Sequence, residues 1–374
     1  MDEKDFGILL YWTRAPGIGG KIKQKMEDFV VEEMPLEFTE GDAFTALFVE
    51  KRGLDTFETT QRIAKALGLK RRAVAYAGMK DRYAITKQWF SVPGRANIEK
   101  IEESGLRVLE HRPIGEPIHL GELAGNRFAV TIRGIKISLR ETDERLRVLI
   151  NEIEQRGIPN FFGPQRFGAN RPVTHRVGRK IIKGDFDGAV FDYLALDFEG
   201  ETEDARSARR RLAGEKDYKR ALEYFPRGMA YERMLLTVLA EGGGSIQALR
   251  ALPLGLAKLF IDAYQSYIFN LALSRFLEGK ETITNFPAHV TGYKTSLGKG
   301  EFDHCVRKVL EEESVTEEDF FVQKMPELAQ KGAIRSAMIY PKIAFSTASG
   351  SATLRFELKK GSYATTVIRE ITKD

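Results

Sequence analysis

The stretch that decides how this chain folds is Ala77-Gly-Met-Lys-Asp-Arg-Tyr-Ala-Ile-Thr-Lys-Gln88, in which apolar sequence runs directly into Lys80-Asp81-Arg82. Val74–Met79 before the charges and Trp89–Val92 after them are rich in β-branched and aromatic residues, which predicts two strands. A carboxylate between two cations is held ionised, because nearby positive charge favours the anion. Such a group can act as a nucleophile or a general base. The same pattern is also typical of a charged turn that closes a hairpin.

The segments on either side of this stretch predict a change of structural class along the chain. Strand-like and helical segments alternate first, then helices alone are predicted for about Thr174–Gly279, and strands return before a final helix at Ala364–Thr372. An inserted domain that splits a discontinuous first domain explains this order, and two successive domains would be the plainer arrangement. The main elements predicted elsewhere are strands at Ala43–Val49, Arg127–Arg133, Arg335–Phe345 and Ala352–Leu358, and helices at Asp55–Leu67, Leu139–Arg156 and Leu252–Leu277.

Composition excludes several classes of protein. The chain has 374 residues, enough for two domains, and its net charge of +5 suits an anionic partner such as RNA. Its one cysteine, Cys305, allows neither an intrachain disulfide nor a cysteine-based zinc site, and the five histidines are scattered. We therefore expect no metal. The N-terminus has no long apolar run, and no segment approaches the length needed to span a bilayer, so a soluble cytoplasmic protein is expected.

Four further segments could carry function, although each also has a simpler structural interpretation. Three of them fit strand entries or a capped last helix: Lys21–Glu33, Gly125–Phe128 and Lys360–Glu370. The fourth, Asn160–Gly168, combines three phenylalanines with an arginine, a composition that stacks on bases and grips phosphate. It is equally typical of a packed interdomain hinge.

Taken together and in this order, the motifs resemble those of the TruD family of tRNA pseudouridine synthases over essentially the whole chain. The resemblance rests on six separated motifs, which are G-x-K-D-R-x-A-x-T-x-Q (Gly78 to Gln88), E-D-F-x-V-x-E (Glu27 to Glu33, with Lys23 before it), G-N-x-F (Gly125 to Phe128), N-F-F-G-x-Q-R-F-G (Asn160 to Gly168), Q-S-x-x-F-N (Gln265 to Asn270) and G-S-Y-A-T…R-E (Gly361 to Glu370). One departure is Met26, where family members often have proline. It affects local turn geometry and no proposed catalytic group.

The resemblance implies an α+β fold. Its pseudouridine-synthase catalytic core would have a mixed, largely antiparallel sheet with helices, and a mainly helical TRUD domain would be inserted into it. We place the discontinuous catalytic domain at residues 1–159 and 336–374, and the inserted domain at 160–335. The resemblance also implies that RNA binds between these domains. The implied activity is isomerisation of a tRNA uridine to pseudouridine, typically at position 13, with no cofactor and no protein partner.

The resemblance also implies roles for individual residues. Asp81 matches the catalytic aspartate, and Lys23 or Arg82 would keep it charged. Phe29 and Tyr363 would stack on the base from opposite sides, and Asn126 would bind the uracil edge or orient Asp81. Weaker RNA contacts are expected from Lys80, Gln165, Arg166 and Arg171. The cations Arg209–Arg211 fit a solvated helix face better than an RNA contact.

Three other functions compete with this one. An RNA-binding module or tRNA chaperone could use the same scaffold without catalysis, but the intact Lys80-Asp81-Arg82 argues against it. A glycosidase would need two catalytic carboxylates, for which Asp28 and Asp81 are the candidates. A nucleotide-binding enzyme is disfavoured, because Gly17–Lys21 lacks the phosphate-loop spacing and Ile22 replaces the required Ser or Thr.

Overall fold

The computed structural model describes residues 3–168 and 170–373, and its internal contacts divide the chain into two compact units. One unit, called the sheet unit here, comprises Tyr11–Ile158 and Ile339–Asp374. The other, called the helical unit, comprises Met1–Leu10 and Pro159–Met338. The identification of 160–335 as an inserted TRUD domain stays a prediction. No helix in the described part of the chain is long and apolar enough to cross a membrane.

The sheet unit is built on one mixed sheet of eight strands. Its strand order is β11-β12-β6-β1-β4-β2-β5, and the short β3 pairs with the second half of β4. Only β1 and β4 run parallel among these pairs, so the sheet is largely antiparallel. The strands are β1 (Phe29–Pro35), β2 (Phe44–Arg52), β3 (Ala75–Tyr76), β4 (Ile85–Pro93), β5 (Arg107–Ile114), β6 (Leu123–Arg133), β11 (Ile343–Ala348) and β12 (Ser351–Lys359).

Four helices cover one face of this sheet. They are α1 (Thr56–Leu67), α2 (Ile98–Glu103), α3 (Leu139–Arg156) and α12 (Ala364–Thr372). Alternate residues of a strand point to opposite faces, and the residues of β1 and β6 that pack on α3 and α12 include Phe29, Val31 and Val130. Leu47 and Phe90 on β2 and β4 belong to a second cluster, which packs on α1 and α2. We call this the helix-covered face, and it positions most of the candidate site.

The helical unit contains most of the remaining helices and one small hairpin. The long apolar helix α10 packs chiefly on α4 and α11. The helices are α4 (Thr174–Ile182), α5 (Phe186–Ala195), α6 (Glu203–Glu215), α7 (Tyr218–Tyr224), α8 (Ala230–Ala240), α9 (Ser245–Ala251), α10 (Leu254–Leu277) and α11 (Glu301–Glu313), and the paired strands are β8 (Pro287–Val290) and β9 (Ala333–Ser336). Two short strands lie at the two ends of Pro159–Met338, the longer segment of this unit. They are β7 (Ile158–Pro159) and β10 (Met338–Ile339).

Most elements predicted from the sequence are confirmed, with two exceptions. The range Arg335–Phe345, predicted as strand, is divided among β9, β10 and β11, which belong to three different sheets. The helices Leu139–Arg156 and Ala364–Thr372 begin and end as predicted. The strand predicted at Val74–Met79 is wrong beyond Tyr76, because only Ala75–Tyr76 pairs in the sheet. The chain leaves the ladder there, and Lys80 N–H donates to the Thr56 side chain instead of to a strand. The residues that lead to Asp81 therefore form a loop.

Candidate active site

Asp81 lies in the loop between β3 and β4, where its carboxylate is accessible. Its side chain is 40% exposed, and Lys23 Nζ contacts Asp81 Oδ2 at 2.5 Å. Lys23 has a left-handed backbone with φ 57°, a conformation that is uncommon for residues other than glycine and costs conformational energy. The ion pair joins residues 58 apart in the sequence. Of the two cations predicted to keep Asp81 charged, Lys23 is the one in contact with it.

Phe29 supports Lys23 rather than facing solvent. The Lys23 ammonium lies 4.3 Å from the centroid of the Phe29 ring, a cation–π contact. The Phe29 side chain is 3% exposed, and its ring edge meets Phe128. A base cannot stack on a ring that is already buried and covered in this way. The predicted role of Phe29 as an aromatic wall therefore needs revision, since its contacts fit the orientation of Lys23.

A buried ion pair fixes the residue next to Asp81. Lys80 Nζ lies 2.5 Å from Glu33 Oε2, and the two side chains are 7% and 0% exposed. Glu33 Oε1 also accepts a hydrogen bond from Trp89 N. The Lys80 ammonium therefore points into the protein, which argues against the expected RNA contact at this residue and makes it an anchor for the Asp81 loop.

Two buried polar side chains tie the same loop to α1 and β4. Thr56 Oγ1 accepts from Lys80 N at 2.9 Å and donates to Gln88 Oε1 at 3.2 Å. Gln88 Nε2 in turn donates to the Gly78 carbonyl. Because both side chains are fully buried, these bonds form where water does not compete with them. They hold the backbone of the loop on both sides of Met79.

Asn126 lies on the helix-covered face of the sheet, opposite Glu33 on β1 and Leu358 on β12. Its Oδ1 is buried and has no hydrogen-bond partner within the described residues. Gly125 before it is required sterically, since a Cβ there would stand 2.1 Å from the Leu358 carbonyl oxygen. The backbone is thus packed tightly around the Asn126 side-chain amide, whose Oδ1 can still accept a hydrogen bond.

The other two residues predicted for this site occupy its surroundings. Arg82 is 69% exposed at its side chain, and its guanidinium bonds the Gly53 carbonyl and lies 3.9 Å from Glu58. It does not share the contact that Lys23 makes with Asp81. Tyr363 is the half-buried residue before α12, and it follows β12, whose Leu358 is paired with Asn126.

The residues of the helical unit predicted to bind RNA differ in their accessibility. Gln165 is exposed, and Arg166 is partly exposed with its guanidinium 3.9 Å from Asp262. Arg171 is 14% exposed at its side chain and lies between Glu201 and Glu232. Burial, reinforced by nearby Arg209, lowers the pKa of Arg171 to about 10. This residue belongs to a buried ion network, so the RNA contact predicted for it is disfavoured.

Arg209 shares that network, which corrects the prediction of a solvated helix face at this position. Its side chain is 2% exposed and bonds Glu201 at 2.9 Å, Glu232 at 2.7 Å and two backbone carbonyls. Arg210 and Arg211 are about half exposed and pair with carboxylates near their own helix. Helical periodicity explains the difference, because consecutive residues of a helix point about 100° apart.

Asp28, the second carboxylate that a glycosidase would need, is committed to the fold. It is fully buried, its Oδ1 accepts from Arg133 Nε at 2.7 Å, and its Oδ2 accepts from Lys25 N at 2.8 Å. A carboxylate bound in this way is not available as a second catalytic group. The two-carboxylate alternative is therefore disfavoured.

A wide cavity of about 840 Å³ opens elsewhere on the sheet unit. Its lining includes Glu32, Lys87, Arg127 and Glu357, which pair with one another. Asp81, Lys23 and Asn126 are not among the lining residues, so this cavity is distinct from the carboxylate site.

Sequence reasoning missed the supporting residues of the site. Glu33 and Gln88 stood inside quoted motifs without an assigned role, and Thr56 was not singled out. A polar residue within apolar strand sequence was the available signal for Glu33 and Gln88. The sequence held no signal for which cation each carboxylate would bind.

Comparisons with known proteins point to one family. A family model described as tRNA pseudouridine synthase D (TruD) matches residues 5–286 and 280–371. A Methanosarcina barkeri protein named probable tRNA pseudouridine synthase D is 34% identical, with 99% of this chain and 97% of the relative covered. A Thermococcus gammatolerans protein of the same name is 36% identical, with both chains covered in full. The matches thus extend over both units.

A solved structure agrees with these sequence matches. The crystal structure of a putative tRNA pseudouridine synthase D (TruD) from Methanosarcina mazei superposes with a TM-score of 0.81 at 32% identity. The match covers 99% of this chain and 97% of that one. The α+β architecture predicted from the sequence is therefore confirmed.

Proposed function

The chain belongs to the TruD family of tRNA pseudouridine synthases, and we propose that Asp81 is the carboxylate through which it isomerises uridine. The observation that carries this proposal is the contact between Asp81 and Lys23, in which an accessible carboxylate is oriented by one partly buried cation. The loop that bears Asp81 is fixed by Lys80 and Thr56. A rigidly held reactive group is what catalysis requires, because misplacement by about 1 Å can cost about a hundredfold in rate.

The reaction rearranges bonds within one nucleotide. The bond between N1 of uracil and C1′ of ribose breaks, a bond between C5 and C1′ forms, the C5 proton leaves and N1 gains a proton. Atoms balance without an oxidant, reductant or water, so no cofactor is expected. Because Lys23 bonds Asp81 Oδ2, we assign Oδ1 to the reaction with the substrate. Asp81 either attacks C1′ or removes a sugar proton to give a glycal, and both routes use the same carboxylate.

Asn126 supports recognition of uracil in this scheme. The target base must leave its stack, which costs a few kcal/mol. Uracil presents an N3–H donor that matches the buried and unpartnered Oδ1 of Asn126. Tyr363 remains the proposed stacking partner, and base–aromatic stacking contributes about 1–3 kcal/mol. Phe29 is assigned instead to the support of Lys23.

RNA binding near Asp81 is proposed to involve Arg82, whose side chain is 69% exposed. Gln165 and Arg166 are weaker candidates in the helical unit. Arg82→Ala should weaken tRNA binding and reduce the slope of log K against log salt by about 1. Arg140→Ala is the matched control, because Arg140 is 89% exposed and pairs with Glu144 on α3. An unchanged slope for Arg82→Ala would refute the proposed RNA contact at Arg82.

The experiment that tests the function uses an unmodified tRNA transcript in the presence of EDTA. Wild-type protein should form pseudouridine at one site, and position 13 is the proposed one. Asp81→Asn should bind the transcript and leave it unmodified, while Asp143→Asn, at a partly exposed α3 position paired with Arg147, should retain activity. Pseudouridine formed by Asp81→Asn at the wild-type rate would overturn the role of Asp81. Binding without product from any variant would favour the non-catalytic RNA-binding module. Cytoplasmic localisation is proposed with the activity, because tRNA is the substrate.

A further inference from the structure

Lys51 is a buried lysine beside the active site that no motif singles out. It lies near the end of β2, its side chain is 2% exposed, and its Nζ donates to the Leu54 carbonyl at 2.6 Å. Lysine is rarely buried to this extent unless it has a specific partner, because removing an ammonium from water is costly. A single carbonyl is weak compensation for such a group.

The register of the sheet places Lys51 in the polar region that surrounds the Asp81 loop. Lys51 lies directly opposite Thr86 of β4, and Thr86 is paired in turn with Val31 of β1. Residues opposite each other share a face, so Lys51 and Thr86 lie on the helix-covered face with Glu33. The Thr86 hydroxyl is fully buried and has no hydrogen-bond partner in the described part of the chain.

Three charged groups interact with the Lys51 ammonium. Burial is the largest cause of a Lys51 pKa lowered to about 8, while Asp55 and Asp81 act to raise this pKa and Lys80 acts to lower it. Hydrogen bonds connect Lys51 to the same loop through a short piece of backbone. Lys51 donates to the carbonyl of Leu54, which lies two residues before Thr56, and the Thr56 side chain accepts from Lys80 N. Lys51 is therefore linked to the Asp81 loop both by charge and by the backbone that it holds.

We propose that Lys51 is a positioning residue for pseudouridine formation, and that its buried ammonium, fixed on the Leu54 carbonyl, holds the Asp81 loop and its carboxylate in the reactive arrangement. This inference rests on the proposed role of Asp81. The coupling is reciprocal, because an anion that stabilises a neighbouring cation is stabilised by it to the same extent. Lys23 contacts Asp81 directly, whereas Lys51 acts without touching the substrate.

The charge on Lys51 gives the reaction a defined response to pH. Lys51 is protonated below its pKa of about 8 and loses its charge as the pH rises through that value. The support it gives to Asp81 is therefore present at neutral pH and is lost on the alkaline side. The turnover rate should therefore fall across this range.

The first test compares kcat against pH for wild type, Lys51→Met and Lys51→Arg. Lys51→Met should lower kcat about tenfold at neutral pH, the equivalent of one pKa unit, and should lack the decline near pH 8. Lys51→Arg should keep most of the activity and also lack that decline, because arginine stays protonated. Lys87→Met is the matched control, since Lys87 lies on β4, points to the opposite face and pairs with Glu32. It should retain the wild-type profile.

The second test needs neither catalysis nor a folded Lys51→Met variant. Carbon-13-labelled lysine side chains are titrated by NMR in wild type and in Asp81→Asn, and the Lys51 signal is assigned by its loss in Lys51→Arg or by its midpoint near pH 8. Removal of the Asp81 charge should lower the pKa of Lys51. An unchanged Lys51 titration would overturn the proposal, as would an alkaline decline that persists in both Lys51 variants. Absence of product from wild type would instead refute the proposed function.

Discussion

The buried pair between Lys80 and Glu33 makes the sharpest prediction about how the Asp81 loop is held. In Lys80→Met, the Glu33 carboxylate would stay in a site where its side chain is 0% exposed, with Trp89 N as its described donor. Removing one partner of a buried ion pair costs about 3–5 kcal/mol, because the other charge is left without compensation. At about 2–4 °C per kcal/mol, the melting temperature of the sheet unit should fall by roughly 6–20 °C.

The double variant Glu33→Gln/Lys80→Met separates this cause from a loss of packing. It removes both charges and keeps a group that can accept from Trp89 N, so it should recover much of the stability lost in Lys80→Met. Stability is measured by calorimetry or denaturant titration, and the coupling energy is taken from the double-mutant cycle. Arg140→Met breaks an exposed pair with Glu144 and should cost no more than about 1 kcal/mol. A cost for Lys80→Met as small as that of Arg140→Met would refute the proposal that the Lys80–Glu33 pair anchors the Asp81 loop.

The remaining predictions concern both units. Asp55→Ala removes the cap that accepts from Glu58 N at 2.7 Å, and should cost about 1 kcal/mol of unfolding free energy in a denaturant titration. Arg209→Met leaves buried Glu201 and Glu232 short of a partner, and should destabilise the helical unit by roughly 3 kcal/mol in calorimetry. Burial lowers the pKa of His175 from 6.5 to about 3, so stability should be full above pH 6.5 and decline as the pH falls below it. His175→Gln should flatten that decline in thermal melts taken across this range, and an unchanged decline would assign it to other groups.

Local sequence signals were sufficient for most of the fold. The helix α3 was predicted to its last residue because Ser138 caps its start and Gly157, with φ 68°, ends it. Residues 77–79, which lead to Asp81, were wrongly predicted as strand, because their apolar sequence resembles a strand and the bond from Lys80 N to Thr56 involves another element. Strand propensity depends on residues close in sequence, so it cannot account for the hydrogen bond from Lys80 N to Thr56, which lies 24 residues away.

The candidate site was only partly predictable for a related reason. The motif around Asp81 identified the carboxylate, but Lys80 and Arg82 beside it turned out to bind Glu33 and the Gly53 carbonyl. The cation that contacts Asp81 is Lys23, which the resemblance offered as one of two choices. The side chains of consecutive loop residues point in different directions. Which charges form pairs there is therefore decided by the tertiary structure.

The most direct test of the central claim is release of tritium from tRNA that carries uridine labelled at C5, measured under single-turnover conditions with saturating enzyme. Wild type should release the label in step with pseudouridine formation, since the C5 proton is lost when the new bond forms. Asp81→Asn should bind the same tRNA with similar affinity and release label more slowly by at least about a hundredfold, a loss typical of removing a positioned acid–base group. Release by Asp81→Asn within a few-fold of wild type would contradict the assignment of Asp81 as the catalytic carboxylate.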